Sequence, residues 1–278
     1  MNYYIDCMPT ETFINKLFEI TDIKDTYILN VYVKELPSNN INFLLYSDIE
    51  KCTKLFYQIK AKGYEINLMF DTACFGNREF SEKGKETLNI IDEYVNLKPD
   101  YITVTNNFFY NYIKNRYEKI KIILSEYLEV NNIQKINRYL ELGCYGLKID
   151  NRLIKDNEIV KCIAENFEKN YMHINLNKII LKNSIYSDSI NNSIAHYMQN
   201  EEFDNINNIL KENYDKEKEI QKLEKEEICA LIEIGFSNFW YYCPYKDEDK
   251  YIYNLKEVIN QNYDEIKQYP STLLNQDI

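Results

Sequence analysis

Long apolar runs are missing from this sequence, and their absence excludes one class of protein at once. No stretch approaches the roughly 18 uninterrupted apolar residues that a membrane-spanning helix requires. The first residues, MNYYIDCMPTETF, also lack the basic region and the apolar core of a signal peptide. The sequence therefore predicts a cytoplasmic protein that has no membrane partner.

Histidine is scarce, and paired cysteines and catalytic motifs are missing. The sequence has two histidines, and its seven cysteines lack the paired spacing of a disulfide framework, which fits a reducing compartment. No HExxH, GxSxG, P-loop or CxxC pattern occurs. Short motifs therefore select no reaction for this chain.

Positive charge is in deficit as well. The sequence has 44 Asp and Glu against 33 Lys and Arg, which gives a formal net charge of −11. Because phosphate contacts need a surplus of Lys and Arg, this balance argues against general nucleic-acid binding and leaves a local basic patch open. Hydrophobic residues make up 45% of the 278, so the chain can bury a substantial core.

Short apolar runs alternate with helical patterns through most of the chain. The runs are bounded by Gly, Pro, Asn and Asp, and they are too short for buried helices. Eight strands are predicted in this way, at 3–8, 26–33, 65–71, 101–105, 119–126, 146–150, 172–177 and 228–236. Helices are predicted after Thr10, Asp48 and Asp156 as N-caps and at 81–96, 107–117, 132–142 and 251–269.

Strands that alternate with helices indicate parallel βαβ units, because a crossover must return the chain to the same end of the sheet. Eight such strands predict a single-domain α/β protein over residues 1–278, a (β/α)8 TIM-like barrel that is irregular at its terminal units. The run KENYDKEKEIQKLEKEE belongs to a predicted charged helical segment at 201–227. A polar loop is predicted before it, at 178–192.

Several phrases between residues 64 and 197 resemble the peptidase U32 family, also called collagenase-like proteases. The first is INLMFDTACFGNREFSEKG, a strand followed by Cys, Gly-Asn and an acidic residue. Later phrases are a strand ending in Ser, a Leu-Gly turn, and Asn-Arg followed by Asp, here Ser125, Leu142, Gly143, Asn151, Arg152 and Asp156. The resemblance implies a barrel and a peptidase, and members of the wider family are linked to hydroxylation with iron–sulfur clusters.

One loop departs from the family pattern. The segment NKIILKNSIYSDSINNSIAH (177–196) fits a family loop that carries two cysteines and then two histidines. Asn177, Leu181, Tyr186 and His196 match that pattern. The cysteine positions hold Ile180 and Ser184, and the first histidine position holds Ile190. Because iron–sulfur clusters need thiolate or imidazole ligands, we expect no cluster and no other cofactor.

Polar residues at the predicted strand ends form the candidate site, because barrel enzymes carry their catalytic groups at the carboxyl ends of the strands. The catalytic candidates are Asp71, Cys74, Glu126 and His196. The ligand-binding candidates are Asn77, Arg78, Asp150, Asn177 and Tyr186. Cys74 would act as a nucleophile if His196 or Arg78 stabilised its thiolate, and Asp71 with another strand-end carboxylate would serve acid–base catalysis or bind a divalent cation.

Structural explanations compete with these assignments. Cys74 is also typical of a small buried hydrophobe, and His196 of a hydrogen-bonded structural residue. His173 lies inside a strand pattern and is predicted to be buried with its nitrogens satisfied. The aromatic run FWYYCPY (239–245) fits core packing or a lid over the mouth.

The sequence leaves two functions open. The first is an enzyme that acts without an iron–sulfur cluster on a peptide or a small metabolite. The alternative is a non-catalytic accessory subunit that binds a peptide or a partner enzyme. A third arrangement, with metal ligands from Cys74, Cys229 and Cys243, also stays open.

Overall fold

The structure, a computed structural model, describes residues 1–21, 24–33, 45–70, 82–125, 128, 132–149, 151–154, 156–181, 218–243 and 247–260. Its strands are β1 (Asn2–Asp6), β2 (Thr26–Val33), β3 (Tyr46–Ser47), β4 (Glu65–Phe70), β5 (Tyr101–Val104), β6 (Lys121–Leu124), β7 (Gly146–Lys148), β8 (Met172–Asn175), β9 (Asn177–Leu181), β10 (Lys218–Lys222) and β11 (Asn238–Tyr241). Its helices are α1 (Glu11–Ile20), α2 (Ile49–Ala61), α3 (Glu82–Val95), α4 (Asn107–Arg116), α5 (Ile133–Glu141), α6 (Asn151–Ile154), α7 (Asn157–Asn166), α8 (Lys225–Ile234) and α9 (Glu248–Ile259).

Eight parallel strands close into a barrel. Their order is β1-β2-β4-β5-β6-β7-β8-β11, and the ring closes because β1 pairs with both β2 and β11. The short strand β3 adds to β2 outside the ring, and β9 pairs antiparallel with β10. The predicted (β/α)8 barrel is confirmed.

Side-chain caps begin several helices where the sequence predicts them. Thr10 accepts a hydrogen bond from the backbone N–H three residues on at 3.0 Å, and Asp48 does the same at 2.9 Å. Asn132 and Asp156 cap α5 and α7 in the same manner. These caps satisfy N–H groups that the first turn of a helix leaves unpaired.

The helix predicted after Thr10 is confirmed as α1, and it buries only part of its large apolar side chains. Phe13 and Leu17 are buried, but Phe18 is 52% exposed. Phe18 adjoins Leu17 in sequence, so its side chain lies about 100° around the helix, on the flank rather than on the core face. There the Lys62 ammonium lies 4.7 Å from the centre of its ring.

The strand predicted at 228–236 is wrong, because residues 225–234 form α8. A capping box between Glu224 and Glu227 begins this helix, and Gly235, with φ +107°, ends it in the left-handed conformation. A short apolar run cannot distinguish a strand from a buried helix by periodicity alone. The eighth barrel strand is β11, which comes from the aromatic run after Gly235.

The helical segment predicted at 201–227 is wrong for residues 218–222, which form β10. This strand pairs with β9, which takes residues 177–181 and so the start of the predicted polar loop. The five residues of β10 contain one apolar side chain, so no clear period separates strand from helix in this sequence. Residues 201–217 lie outside the described part of the chain.

Alternate residues of the barrel strands point inward, as the pleat of a strand requires. Branched aliphatic side chains usually fill such an interior. Here much of the inward set is polar or aromatic: Tyr4, Asp6, Asn30, Asn67, Tyr101, Thr103, Lys148, His173 and Trp240. Burial of so many polar groups is stable only if they bond to one another.

Gly146 leaves room for one of these buried rings. A Cβ atom built on Gly146 would overlap Nε2 of His173 and lie 2.8 Å from its Cδ2. The His173 ring cannot easily yield, because its Nδ1 accepts a hydrogen bond from Trp240 Nε1 at 2.9 Å and its face packs against Tyr4. Glycine is therefore the residue that allows β7 to pass this close to β8.

Replacing Gly146 by alanine is expected to lower the free energy of unfolding by about 1–3 kcal/mol, because the extra carbon overpacks the barrel interior. Urea unfolding followed by circular dichroism measures the loss. In a His173→Ala background the penalty should disappear, because the overlapping ring is gone. An equal loss in both backgrounds would contradict the steric explanation.

Candidate functional site

Most of the predicted site residues lie outside the described part of the chain. These are Asp71, Cys74, Asn77, Arg78, Glu126, Asp150, Tyr186 and His196. Their assignments stay predictions. Asn177 is described, and its side chain is buried.

Asn177 holds the segment that follows the last barrel strand. Its Nδ2 donates to the backbone oxygen of Tyr242 at 2.9 Å, and its Oδ1 accepts from the backbone nitrogen of the same residue at 2.8 Å. This pair of bonds fixes the backbone from which the Tyr242 side chain projects. Ligand binding by Asn177 stays a prediction, and the contact that the structure gives it is a positioning one.

Asp6, at the carboxyl end of β1, is a buried carboxylate that is not among the predicted site residues. Its Oδ1 accepts from the hydroxyl of Tyr32 at 2.7 Å and from the amide of Asn30 at 3.2 Å. Its Oδ2 accepts from the backbone nitrogen of Cys243 at 2.9 Å. Burial raises the pKa of Asp6, and these hydrogen bonds together with the charge of Lys148 oppose the rise.

Asp6 also begins a chain of hydrogen bonds across four neighbouring strands. Asn30 accepts from Asn67 Nδ2 at 2.8 Å, and Asn67 exchanges bonds of 2.9 and 3.0 Å with the hydroxyl of Thr103. These residues face inward from β2, β4 and β5. This series of hydrogen bonds fixes the rotamers of the three polar residues and holds Asn30 in the position from which it donates to Asp6.

Lys148, at the end of β7, places an ammonium group inside the barrel. The residue is fully buried, and its Nζ donates to the hydroxyl of Tyr242. The same Nζ lies 4.0 Å from the ring centre of Trp240 and 4.5 Å from that of Tyr242. Two aromatic faces and a hydroxyl therefore stabilise the positive charge.

His173 lies deeper in the barrel and is neutral. Because its Nδ1 accepts from Trp240, its proton is on Nε2, which has no hydrogen-bond partner among the described residues. The prediction of a buried histidine is confirmed, but only one of its nitrogens is satisfied. Burial, together with the charge of Lys148, lowers the pKa of His173 to about 3.

Two of the three cysteines considered as metal ligands, Cys229 and Cys243, are buried. Cys243 is fully buried beside the mouth, and its backbone supports Asp6. Cys229 is buried on α8. Within the described residues, no group of three or more His, Cys, Asp or Glu side chains is placed to hold a metal ion. Cys74, the third member of the proposed set, lies outside them.

Asp6, Lys148 and Tyr242 together form the candidate site, which we call the mouth cluster. All three are at or just beyond the carboxyl ends of barrel strands, where barrel enzymes bind their substrates. An ammonium bonded to a phenol can stabilise a developing oxyanion or deliver a proton. Two of these residues have a signal in the sequence, since Asp6 and Lys148 are charged residues near the ends of apolar strand patterns. These patterns are YYIDCM and GLKID.

The comparisons with known proteins support the barrel. A solved structure of a U32 peptidase matches with a TM-score of 0.58 and 16% sequence identity, over 87% of this chain and 92% of that one. No protein-family model matches the sequence, and no curated protein matches it. At this identity the likeness shows a shared fold. Within the described residues, no helix has both the length and the apolar character to cross a membrane.

Proposed function

We propose that this chain is a U32-like barrel enzyme that acts on a small metabolite or a peptide at the mouth cluster, without an iron–sulfur cluster. One observation carries the proposal: a lysine ammonium is buried at the carboxyl end of a barrel strand in direct contact with a tyrosine hydroxyl. Burial of a charged amine is costly, and the carboxyl ends of barrel strands are where barrel enzymes place their catalytic groups.

The chemistry available to the pair is proton transfer and stabilisation of negative charge. A carbonyl oxygen that gains charge near Lys148 and Tyr242 would be stabilised by the ammonium, and the phenol would supply the second donor. Asp6 is a positioning residue, since its oxygens hold Tyr32 and the backbone of Cys243, the neighbour of Tyr242. The likeness to a U32 peptidase makes amide hydrolysis the first reaction to test.

A non-catalytic binding protein is the second candidate, and the filling of the barrel favours it. Tyr4 and Trp240 stack at 4.7 Å, and His173 packs against the same two rings. These side chains fill the barrel below the mouth cluster. A ligand would then be held at the mouth of the barrel and not inside it, as in an accessory subunit that binds a peptide or a partner enzyme.

The test compares Lys148→Met with Lys121→Met. Lys121 is a matched control, because its Nζ also lies against two rings, at 4.6 Å from Tyr101 and 5.0 Å from Tyr145, and contacts a tyrosine hydroxyl at 3.2 Å. It lies at the opposite, amino-terminal end of the strands, where the residues of a barrel serve stability rather than catalysis.

Wild type is incubated with a peptide library and with a metabolite extract, and products are identified by mass spectrometry. We expect turnover that Lys148→Met reduces by about 100-fold in kcat/KM and that Lys121→Met leaves nearly unchanged. Tyr242→Phe should give an intermediate loss. Absence of any product from wild type, with a ligand retained, would favour the accessory subunit. Equal losses in both lysine variants would refute the assignment of the mouth cluster.

A further inference from the structure

We propose that Thr105, Ser125 and Lys148 form an oxyanion-binding arc that holds a carboxylate or phosphate group of the ligand. The inference rests on the proposed use of the barrel mouth and names the chemical class of what binds there. It depends on the register of three neighbouring strands, on the direction of their side chains and on one buried hydroxyl.

The three residues are neighbours across the sheet. Val104 pairs with Leu124, and Leu124 pairs with Leu147. One residue further along each strand places Thr105, Ser125 and Lys148 side by side, and the Ser125 nitrogen confirms this register by donating to the Val104 oxygen at 2.9 Å. Adjacent strands are about 4.8 Å apart, so the three side chains span one short arc of the mouth.

All three side chains point into the barrel. Thr103 bonds to Asn67 inside the barrel, so Thr105, two residues on, points to the same face. Lys121 packs on the inward ring of Tyr101, which gives the same direction to Ser125, four residues on. The contact of Lys148 with Trp240 shows its direction directly.

The Thr105 hydroxyl is the observation that points to a ligand. The residue is only 5% exposed, and its Oγ1 has no hydrogen-bond partner among the described residues. Two residues earlier, the Thr103 hydroxyl both donates to and accepts from Asn67. A buried hydroxyl left without a bond is costly, and a bound ion is one of the explanations for such a group in a native structure.

An oxyanion fits this arc better than a neutral group does. The Thr105 hydroxyl can donate to one of its oxygens, and the Lys148 ammonium adds a charge-assisted contact of the kind that carboxylates and phosphates accept. The side chain of Ser125 lies between these two groups. The whole chain carries a net charge of −11, which disfavours anions elsewhere on the surface. The buried Lys148 ammonium is the group that would attract an anion to the mouth, and the Asp6 carboxylate of the same cluster is held by its own hydrogen bonds to Tyr32, Asn30 and Cys243.

The experiment titrates wild type, Thr105→Val, Lys148→Met and Lys121→Met with inorganic phosphate and, separately, with succinate by isothermal calorimetry. We expect saturable binding of one of these probes, weakened about 100-fold in Lys148→Met and about tenfold in Thr105→Val. Lys121→Met should bind like wild type. The stronger probe distinguishes a phosphate site from a carboxylate site.

Thr105→Val has a second signature that a purely structural hydroxyl would not give. Valine has nearly the same shape and removes a buried hydroxyl that has no partner within the described part of the chain, so the melting temperature of the ligand-free variant should rise by about 2 °C while affinity falls. A lower melting temperature with unchanged affinity would overturn the role of Thr105. Equal weakening in the two lysine variants would overturn the arc.

The outcomes also separate this inference from the proposed enzyme. Saturable anion binding that depends on Lys148, without turnover of any substrate, would support the arc and refute the enzyme. Turnover that depends on Lys148, with no saturable binding of phosphate or succinate, would refute the arc and support the enzyme. Failure of wild type in both assays would overturn both.

Discussion

Replacing Asp6 by alanine is expected to lower the free energy of unfolding by about 3–5 kcal/mol. The carboxylate is fully buried and accepts three hydrogen bonds from Tyr32, Asn30 and the backbone of Cys243. Alanine removes the acceptor of all three of these hydrogen bonds inside the barrel and the negative charge that lies opposite Lys148. Urea unfolding at neutral pH measures the loss.

Two substitutions sharpen this test. Asp6→Asn keeps the shape and one acceptor but turns an N–H₂ group toward a donor, so a smaller loss is expected. Asp92→Ala is the matched control, because Asp92 also accepts from three side chains, those of Tyr112, Tyr117 and Arg116, but is 18% exposed. Water can replace its bonds, so we expect a loss of about 1–2 kcal/mol. A loss below that of Asp92→Ala would contradict the role of Asp6.

The second large effect is a dependence of stability on pH that comes from His173. Burial lowers its pKa from the ordinary value of 6.5 to about 3, so the folded protein binds the proton more weakly than the unfolded chain. The contribution of neutral His173 to the free energy of unfolding is fully present above pH 6.5 and is lost as pH falls toward 3. The slope is about 1.4 kcal/mol per pH unit, and the total over this range is on the order of 5 kcal/mol.

His173→Asn isolates this contribution. The asparagine oxygen can still accept from Trp240, but the side chain does not titrate, so the difference in stability between wild type and variant should shrink as pH falls from 6.5 to 3. Asp6 has the opposite effect on the pH dependence of stability, because its pKa is raised in the folded protein. Its contribution to the free energy of unfolding is greatest below pH 3.8, the ordinary pKa of the group, and decreases as pH rises through the pKa of the folded state. Because Asp6 is present in both wild type and His173→Asn, its contribution cancels in the difference between their stabilities.

Trp240 provides an independent readout, because it is the single tryptophan of the sequence and donates to His173. Protonation of His173 would break that bond and place a second charge near the indole, so fluorescence should change over the same pH range in wild type. The change should be missing in His173→Asn and present in His196→Asn, which removes the other histidine. A difference in stability that stays constant from pH 6.5 to 3 would contradict the lowered pKa.

The local signals in the sequence account for most of the barrel. Helices and strands are predicted from N-cap residues and from apolar runs of strand length, and their bounds depend on residues that are close in sequence. The N-caps are Thr10, Asp48, Asn132 and Asp156. Such elements form in nearly the same way wherever they pack. For this reason the predicted alternation, and the (β/α)8 barrel that follows from it, were correct.

The errors lie where pairing across the fold decides the structure. The apolar run at 228–236 carries no period that separates a strand from a buried helix, and β10 forms because β9 lies beside it. The candidate site shows the same limit. A lysine inside an apolar strand is ambiguous in sequence, and only closure of the barrel brings Lys148 against Trp240 and Tyr242, which are almost 100 residues further along the chain.

The class of fold and most of its helices and strands follow from local signals, because helix caps, strand periods and turn residues act over a few residues. Which polar side chains meet at the barrel mouth depends on contacts between distant parts of the chain. Asp6 from the first strand, Lys148 from the sixth barrel strand and Tyr242 beyond the last are brought together by register and closure of the ring. Those are long-range pairings, and no local pattern of residues encodes them.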